Sequence, residues 1–178
     1  MSPRHNRVEL SIPEEGIAFD GFVLRLPTAA DLDRMSATFA EPDAFTRADL
    51  ANLVPQLDTL VADGRLVPLV VADAQTGEIL GGGTFRNFDA NGAVVEIGYW
   101  LYPHARGRGV ATKTARALAA HAFGLGIRRV VARVKVGNDA SEQVLRRVGF
   151  TCEGVSRPIP AAEGSSVDKT TWSLLPRE

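Results

Sequence analysis

Apolar positions in this chain change period near residue 107. Before it they come in short runs broken by glycine, proline and asparagine; after it they fall mostly at helical spacing. Residues 1–20 are polar and carry Pro3, Pro13 and Gly16, which reads as an irregular arm with a short strand at Arg7–Ile12. Phe22–Leu26 reads as a strand. Thr28, three residues before Asp31, then caps a helix whose Leu32, Met35 and Phe39 share a face. A second helix is expected from about Arg47 to Ala62, with Leu50, Leu53, Val54, Leu57, Leu60 and Val61 at helical spacing and a kink at Pro55.

A meander follows. Val67–Ala72 and Ile79–Phe85 are apolar runs separated by the Gln75-Thr76-Gly77 turn, and Ala93–Tyr102 follows the hairpin signal Asn91-Gly92. Gly107–Gly124 is an alanine-rich helix with Ala111, Ala115, Ala119 and Ala122 on one stripe, small enough to let it lie close on a sheet. Val130, Ala132, Val134 and Val136 alternate with Val131, Arg133 and Lys135, a strand pattern. Asp139–Val148 is a helix closed by Gly149, a left-handed cap. Phe150–Val155 and Thr170–Leu174 complete the strands. This order implies a mixed α/β sheet in one domain over residues 1–178, because strands in series precede the alternating part.

Composition narrows the class. Apolar residues make up 45% and charged residues 23%, so the chain is globular. Twenty Lys and Arg against 21 Asp and Glu leave a net charge of −1, which lacks the basic excess of a general nucleic-acid binder. The single cysteine, Cys152, cannot form an internal disulfide and reads as a packed thiol in a reducing compartment. No apolar run approaches the ~20 residues of a membrane span, and Met1–Gly16 lacks a signal peptide's apolar stretch. The expectation is a cytoplasmic protein with no membrane and no nucleic-acid partner. Oligomeric state is not legible, and a homodimer is allowed.

The chemistry concentrates in one turn, Tyr99-Trp100-Leu101-Tyr102-Pro103-His104-Ala105-Arg106-Gly107-Arg108-Gly109-Val110-Ala111-Thr112, which joins a strand end to a helix start. Gly107 and Gly109 let backbone amides face a ligand with no Cβ in the way. The helix start adds unpaired N–H donors and partial positive charge, and Arg106 and Arg108 add full charges. Together they suit a diphosphate. The spacing matches neither a P-loop nor a Rossmann fingerprint.

The pattern Arg106-x-x-Gly109-x-Ala111 resembles the pyrophosphate-binding signature of the GNAT acyltransferase superfamily. Leu101 and Pro103 upstream, and Asn138-x-x-Ser141, Gly149-Phe150 and Glu153-Gly154 downstream, resemble its RimJ/RimL-like branch. That resemblance implies a central mixed sheet of about six to seven strands flanked by about four helices. It also implies that Ala93–Tyr102 splays from Arg129–Val136 to admit the pantetheine arm of acetyl-CoA. Leu101 would offer backbone groups to the pantetheine amides, and the amides of Arg106, Gly107, Arg108, Gly109, Val110 and Ala111 would hold the pyrophosphate. Thr112 would sit in the first helical turn, and Asn138 would bond the pantetheine chain or cap the helix at Asp139.

The implied reaction is direct acyl transfer from acetyl-CoA, without an acyl-cysteine and without a metal. Leu145 stands where many relatives carry a tyrosine, so Ser141 becomes the donor to the leaving sulfur. Glu96, mid-strand among apolar residues, is the base or the amine anchor; Glu163 and Asp168 are weaker alternatives, and His104 is a solvated loop residue. Phe85, Phe88, Trp100 and Tyr102 read mainly as core. The acceptor implied is a primary amine, with a protein N-terminal α-amine foremost and an antibiotic or polyamine as the small-molecule alternative. A non-catalytic acyl-CoA-binding module or an unrelated phosphate-binding domain would keep the same loop without the chemistry.

Overall fold

A computed structural model of the chain describes residues 10–34, 51–52, 54–56, 59–60, 66–88, 93–156 and 168–176. Its strands are β1 (Ile17–Phe19), β2 (Phe22–Arg25), β3 (Leu66–Asp73), β4 (Ile79–Arg86), β5 (Val94–Leu101), β6 (Arg129–Lys135), β7 (Thr151–Ser156) and β8 (Lys169–Leu174). The described helices are α1 (Ala29–Arg34), α2 (Val110–Gly124) and α3 (Asp139–Val148). The strands form one sheet in the order β1-β2-β3-β4-β5-β6-β8-β7. Every neighbouring pair is antiparallel except β5 and β6.

The sheet has eight strands rather than six to seven because a hairpin opens it. Asp20 and Gly21 both take positive φ, 43° and 85°, and turn β1 back on β2 with Phe19 opposite Phe22. That two-residue Asp-Gly turn matches the twist of the strands it joins. Leu10–Ile12 carry no strand, and Arg7 to Glu9 of the expected arm strand lie outside the described residues. So do Met35, Phe39, the Asn91-Gly92 turn and most of the Arg47–Ala62 segment, of which Val54–Gln56 forms a 3-10 turn around Pro55.

Thr28 caps α1 in the reverse sense to the expected one. The Asp31 carboxylate accepts from the Thr28 amide at 2.7 Å and from its hydroxyl at 3.0 Å. Arg25 of β2 binds both oxygens of the same carboxylate at 2.7 Å. Burial alone would push the Asp31 carboxyl up; the bonds from Arg25 and Thr28 outweigh it and hold the group below its usual value.

Helix α2 covers one face of the sheet. Ala115, Ala119 and Ala122 are buried along its inner stripe, and Leu118 reaches a core that contains Val95, Ile97, Leu101, Val130, Ala132 and Val134. Burying each of the larger side chains contributes about 2 kcal/mol. The opposite face carries a smaller cluster of Val70, Ala72, Ile79 and Tyr102 with Trp100 packed against it. Gly82 makes room for it: a Cβ there would come within 2.5 Å of the Trp100 indole nitrogen. Phe85 and Tyr102 are core, as the aromatic pattern suggests. Cys152 is not: it lies exposed on β7, whose residues are all exposed, so it is a surface thiol rather than a packed one.

Candidate functional site

Strand β5 pairs with β6 through only three residues, Val94 with Arg129, Val95 with Val130 and Glu96 with Val131. Beyond Glu96 the two strands make no pair, although β5 runs to Leu101 and β6 to Lys135. Among the described residues no strand lies between them there. Successive residues of a strand alternate the edge to which their N–H and C=O point. The Tyr102 amide donates to Leu80 O of β4, and Ala93 O accepts from Arg129 of β6. The backbone groups of the odd-numbered residues, Tyr99 and Leu101 among them, therefore face the open fork.

A cavity of about 940 Å³ occupies this fork and extends to the start of α2. At that end the loop is built by backbone. Gly107 and Gly109 take φ of 73° and 76°, the left-handed region that disfavours a side chain, and a Cβ on either would meet nothing within 4 Å. Gly109 caps α2, and the first helical bond joins the Lys113 amide to Gly109 O. The amides of Val110, Ala111 and Thr112 thus precede any helical acceptor and open toward the cavity that these residues line. Open space beside a run of unshared amides at a helix N-terminus suits the linked phosphates of coenzyme A.

Arg106 differs from the expected phosphate-binding residue in that its amide donates to Pro103 O at 3.2 Å. Its guanidinium turns back and donates to Leu101 O through Nε and Nη2, both at 3.1 Å. It closes the loop onto the end of β5 and occupies one of the two Leu101 backbone groups expected to serve the pantetheine; the Leu101 amide keeps its aim into the fork. Arg108 is exposed. Asn138 caps α3, its Oδ1 accepting from the Ser141 amide at 3.1 Å, while the residue also lines the cavity.

Ser141, one turn into α3, lines the cavity as the sequence motif suggests. Beside it stands Tyr99, a residue that sequence reasoning did not single out. Its hydroxyl donates to Ser141 O at 3.2 Å and it lines the same wall. Burial pushes the Tyr99 phenol well above its ordinary value, against the smaller opposite pull of the Ser141 bond, so the proton stays on the ring oxygen at any working pH. Strand parity was the available signal: an odd-numbered tyrosine at the free end of β5 shares the face of Ile97 and Leu101, on which α2 and α3 pack.

Glu96 is buried at 4% exposure and lies behind the cavity wall rather than on it. Its carboxylate is saturated. Oε1 accepts from Arg86 Nε at 3.0 Å and Nη2 at 2.8 Å; Oε2 accepts from Arg133 Nη1 at 2.7 Å and Asn87 Nδ2 at 2.8 Å. Arg86, Asn87 and Arg133 themselves line the cavity at the closed end of the fork. Asp168 does not line it, and Glu163 lies outside the described residues. His104 is half-exposed, stacked on Tyr102 and 3.2 Å from Glu78, as a solvated loop residue would be. Among the described residues no cluster of metal-ligating side chains occurs, and no helix is long and apolar enough to cross a membrane.

The chain resembles known proteins. Residues 22–151 match the model of the acetyltransferase (GNAT) domain. Over 103 residues the chain is 36% identical to a Bacillus subtilis protein provisionally named as the ribosomal N-acetyltransferase YdaF, covering 57% of this chain and 56% of that one. The match thus spans little more than half of that relative. Over 132 residues it is 32% identical to an L-methionine sulfoximine/L-methionine sulfone acetyltransferase of Pseudomonas aeruginosa, covering 72% of this chain and 76% of that one. Among solved structures, Mycobacterium smegmatis RimJ in complex with CoA-disulfide superposes with a TM-score of 0.71 at 22% identity, covering 86% of this chain and 81% of that one.

Proposed function

The chain belongs to the acetyltransferase (GNAT) domain family, and from that premise we propose that it transfers the acetyl group of acetyl-CoA to a primary amine by direct attack. The observation that carries the reading is the parting of β5 and β6 after Glu96 and Val131, beside the open amides of α2. The amides of Gly107 to Thr112 hold the pyrophosphate. The pantetheine arm runs down the fork past the edge of β5, with Asn138 on its other side.

The amine lone pair adds to the thioester carbonyl, whose developing oxyanion takes a hydrogen bond from a β5 amide near Leu101. The carbon–sulfur bond then breaks with its electron pair on sulfur. Ser141, with Tyr99 beside it, offers a hydrogen bond to that sulfur, and the one proton that the nitrogen loses passes through water in the cavity to the sulfur, so free CoA thiol and the acetamide leave together. Of the two roles open to Glu96, the bonds it makes favour the anchor: it is a positioning residue that holds Arg86, Asn87 and Arg133 at the acceptor end.

The acceptor is an α-amine. A protein N-terminus is the reading that the relative named for ribosomal N-acetylation supports. A free amino acid or amino-acid analogue is the reading supported by the relative named for L-methionine sulfoximine and L-methionine sulfone, which matches more of this chain. The test is release of free thiol from acetyl-CoA against peptides with free N-termini, amino acids, aminoglycosides and polyamines, with a mass gain of one acetyl group on the acceptor. Binding of CoA with no acetylated product from any amine overturns the proposed activity.

A further inference from the structure

The acceptor end of the cavity carries an excess of positive charge that Glu96 does not cancel. Two guanidiniums, Arg86 and Arg133, share one carboxylate. Arg86 donates to it through Nε and Nη2, and Arg133 through Nη1. Glu96 therefore leaves Nη1 of Arg86 and both Nε and Nη2 of Arg133 for another acceptor. The two side chains are 39% and 45% exposed, and both line the cavity. Lys169 of β8 lines it as well, and among the described residues on its wall there is no carboxylate.

Two features hold this charge ready for a ligand. Glu96 fixes the position of both guanidiniums from behind, so their remaining donors are oriented before anything binds. Gly98 keeps one of them uncovered: a Cβ there would lie 3.9 Å from the Arg86 guanidinium and 2.7 Å from Thr84 Oγ1, so a larger residue would crowd the approach. Arg133 stands two residues past Val131, about 7 Å along β6 into the part of the fork where β5 makes no pair.

We propose that Arg86 and Arg133 bind a carboxylate carried on the carbon next to the reacting amine, so that the acceptor is a small free α-amino acid. The inference rests on the acetyl-transfer reading above. A carboxylate is planar and matches the paired donors of a guanidinium, and one negative charge balances the unshared positive one. A polyamine would bring two or more positive charges to a cationic wall, and a peptide amine has a neutral carbonyl where the arginines seek an anion.

The experiment compares the twenty L-α-amino acids, their primary amides and their decarboxylated amines as acceptors at fixed acetyl-CoA, with tetrapeptides and spermidine alongside. The expected result is that at least one amino acid is acetylated with kcat/KM about 100-fold above its own amide and amine. In Arg133→Gln, which leaves the Arg86–Glu96 pair in place, that ratio falls about 10- to 100-fold, chiefly through KM, and Arg133→Lys restores part of it. CoA calorimetry on each variant reports whether it is folded. An acid-to-amide ratio near one, a preference for tetrapeptides or spermidine, or a ratio unchanged in folded Arg133→Gln overturns the carboxylate site while leaving acetyl transfer standing. CoA binding without acetylation of any acceptor overturns acetyl transfer and the carboxylate site together.

Discussion

The two ends of the fork are built from different materials. The end at α2 is a backbone site: glycines at positive φ, a helix N-terminus and amides with no helical acceptor. The end at Glu96 is a side-chain site: Arg86 from β4, Glu96 from β5 and Arg133 from β6, converging across three strands. A backbone site needs residues adjacent in sequence. A side-chain site needs a sheet register that brings positions 86, 96 and 133 together. The first can recognise only what every reaction of the family shares, a diphosphate; the second is free to differ from one acceptor to another.

The largest effect that would sharpen this contrast is on stability at the side-chain end. Glu96→Ala leaves two guanidiniums facing each other without their carboxylate, and a loss of about 3 kcal/mol is expected in denaturant unfolding. A variant as stable as the parent would show that the triad is solvated and organises nothing. Next is chemistry between the two ends. Ser141→Ala combined with Tyr99→Phe is expected to lower kcat about 100-fold, with KM for acetyl-CoA nearly unchanged. A change confined to KM would assign these hydroxyls to binding instead.

A smaller effect concerns the scaffold outside both ends. Asp31→Asn is expected to cost about 2 kcal/mol at pH 7 through loss of its bonds to Arg25. The folded-state pKa of Asp31 lies below the unfolded value of about 4, so this stabilisation is present above that pH and is lost as pH falls through the folded value. Parent and variant should therefore begin to converge as pH falls below about 4 and meet only below the folded value; a constant gap down to acid would assign the effect to packing. The smallest is Arg106→Gln, which frees Leu101 O and loosens the loop; CoA affinity should fall about 5- to 10-fold. A fall of a hundredfold would return Arg106 to direct phosphate contact.

The same contrast explains what was legible in the sequence. The glycine loop, the helix it opens, Ser141 on the cavity wall and the left-handed Gly149 cap all follow from local patterns, and the structure has them. The Asp20-Gly21 turn is local chemistry too, and the hairpin it makes brings the sheet to eight strands. What no local pattern contains is the direction of a long side chain. The Arg106 side chain reads as a charge beside the phosphates until its guanidinium is seen on Leu101 O. Glu96 reads as a free base until the register of β4 and β6 surrounds it with two arginines. Cys152 reads as core until β7 is found as the exposed edge strand.

The claim on which both ends depend is that the α2 amides grip coenzyme A. Titration calorimetry of CoA against the protein and against Gly109→Val tests it directly, because a β-branched residue is strained at φ 76° and would shift the turn that presents the amides. The account predicts saturable heat from the parent and an affinity at least about 30-fold weaker in the variant. Equal affinity in a folded Gly109→Val, or no heat from the parent, would contradict it.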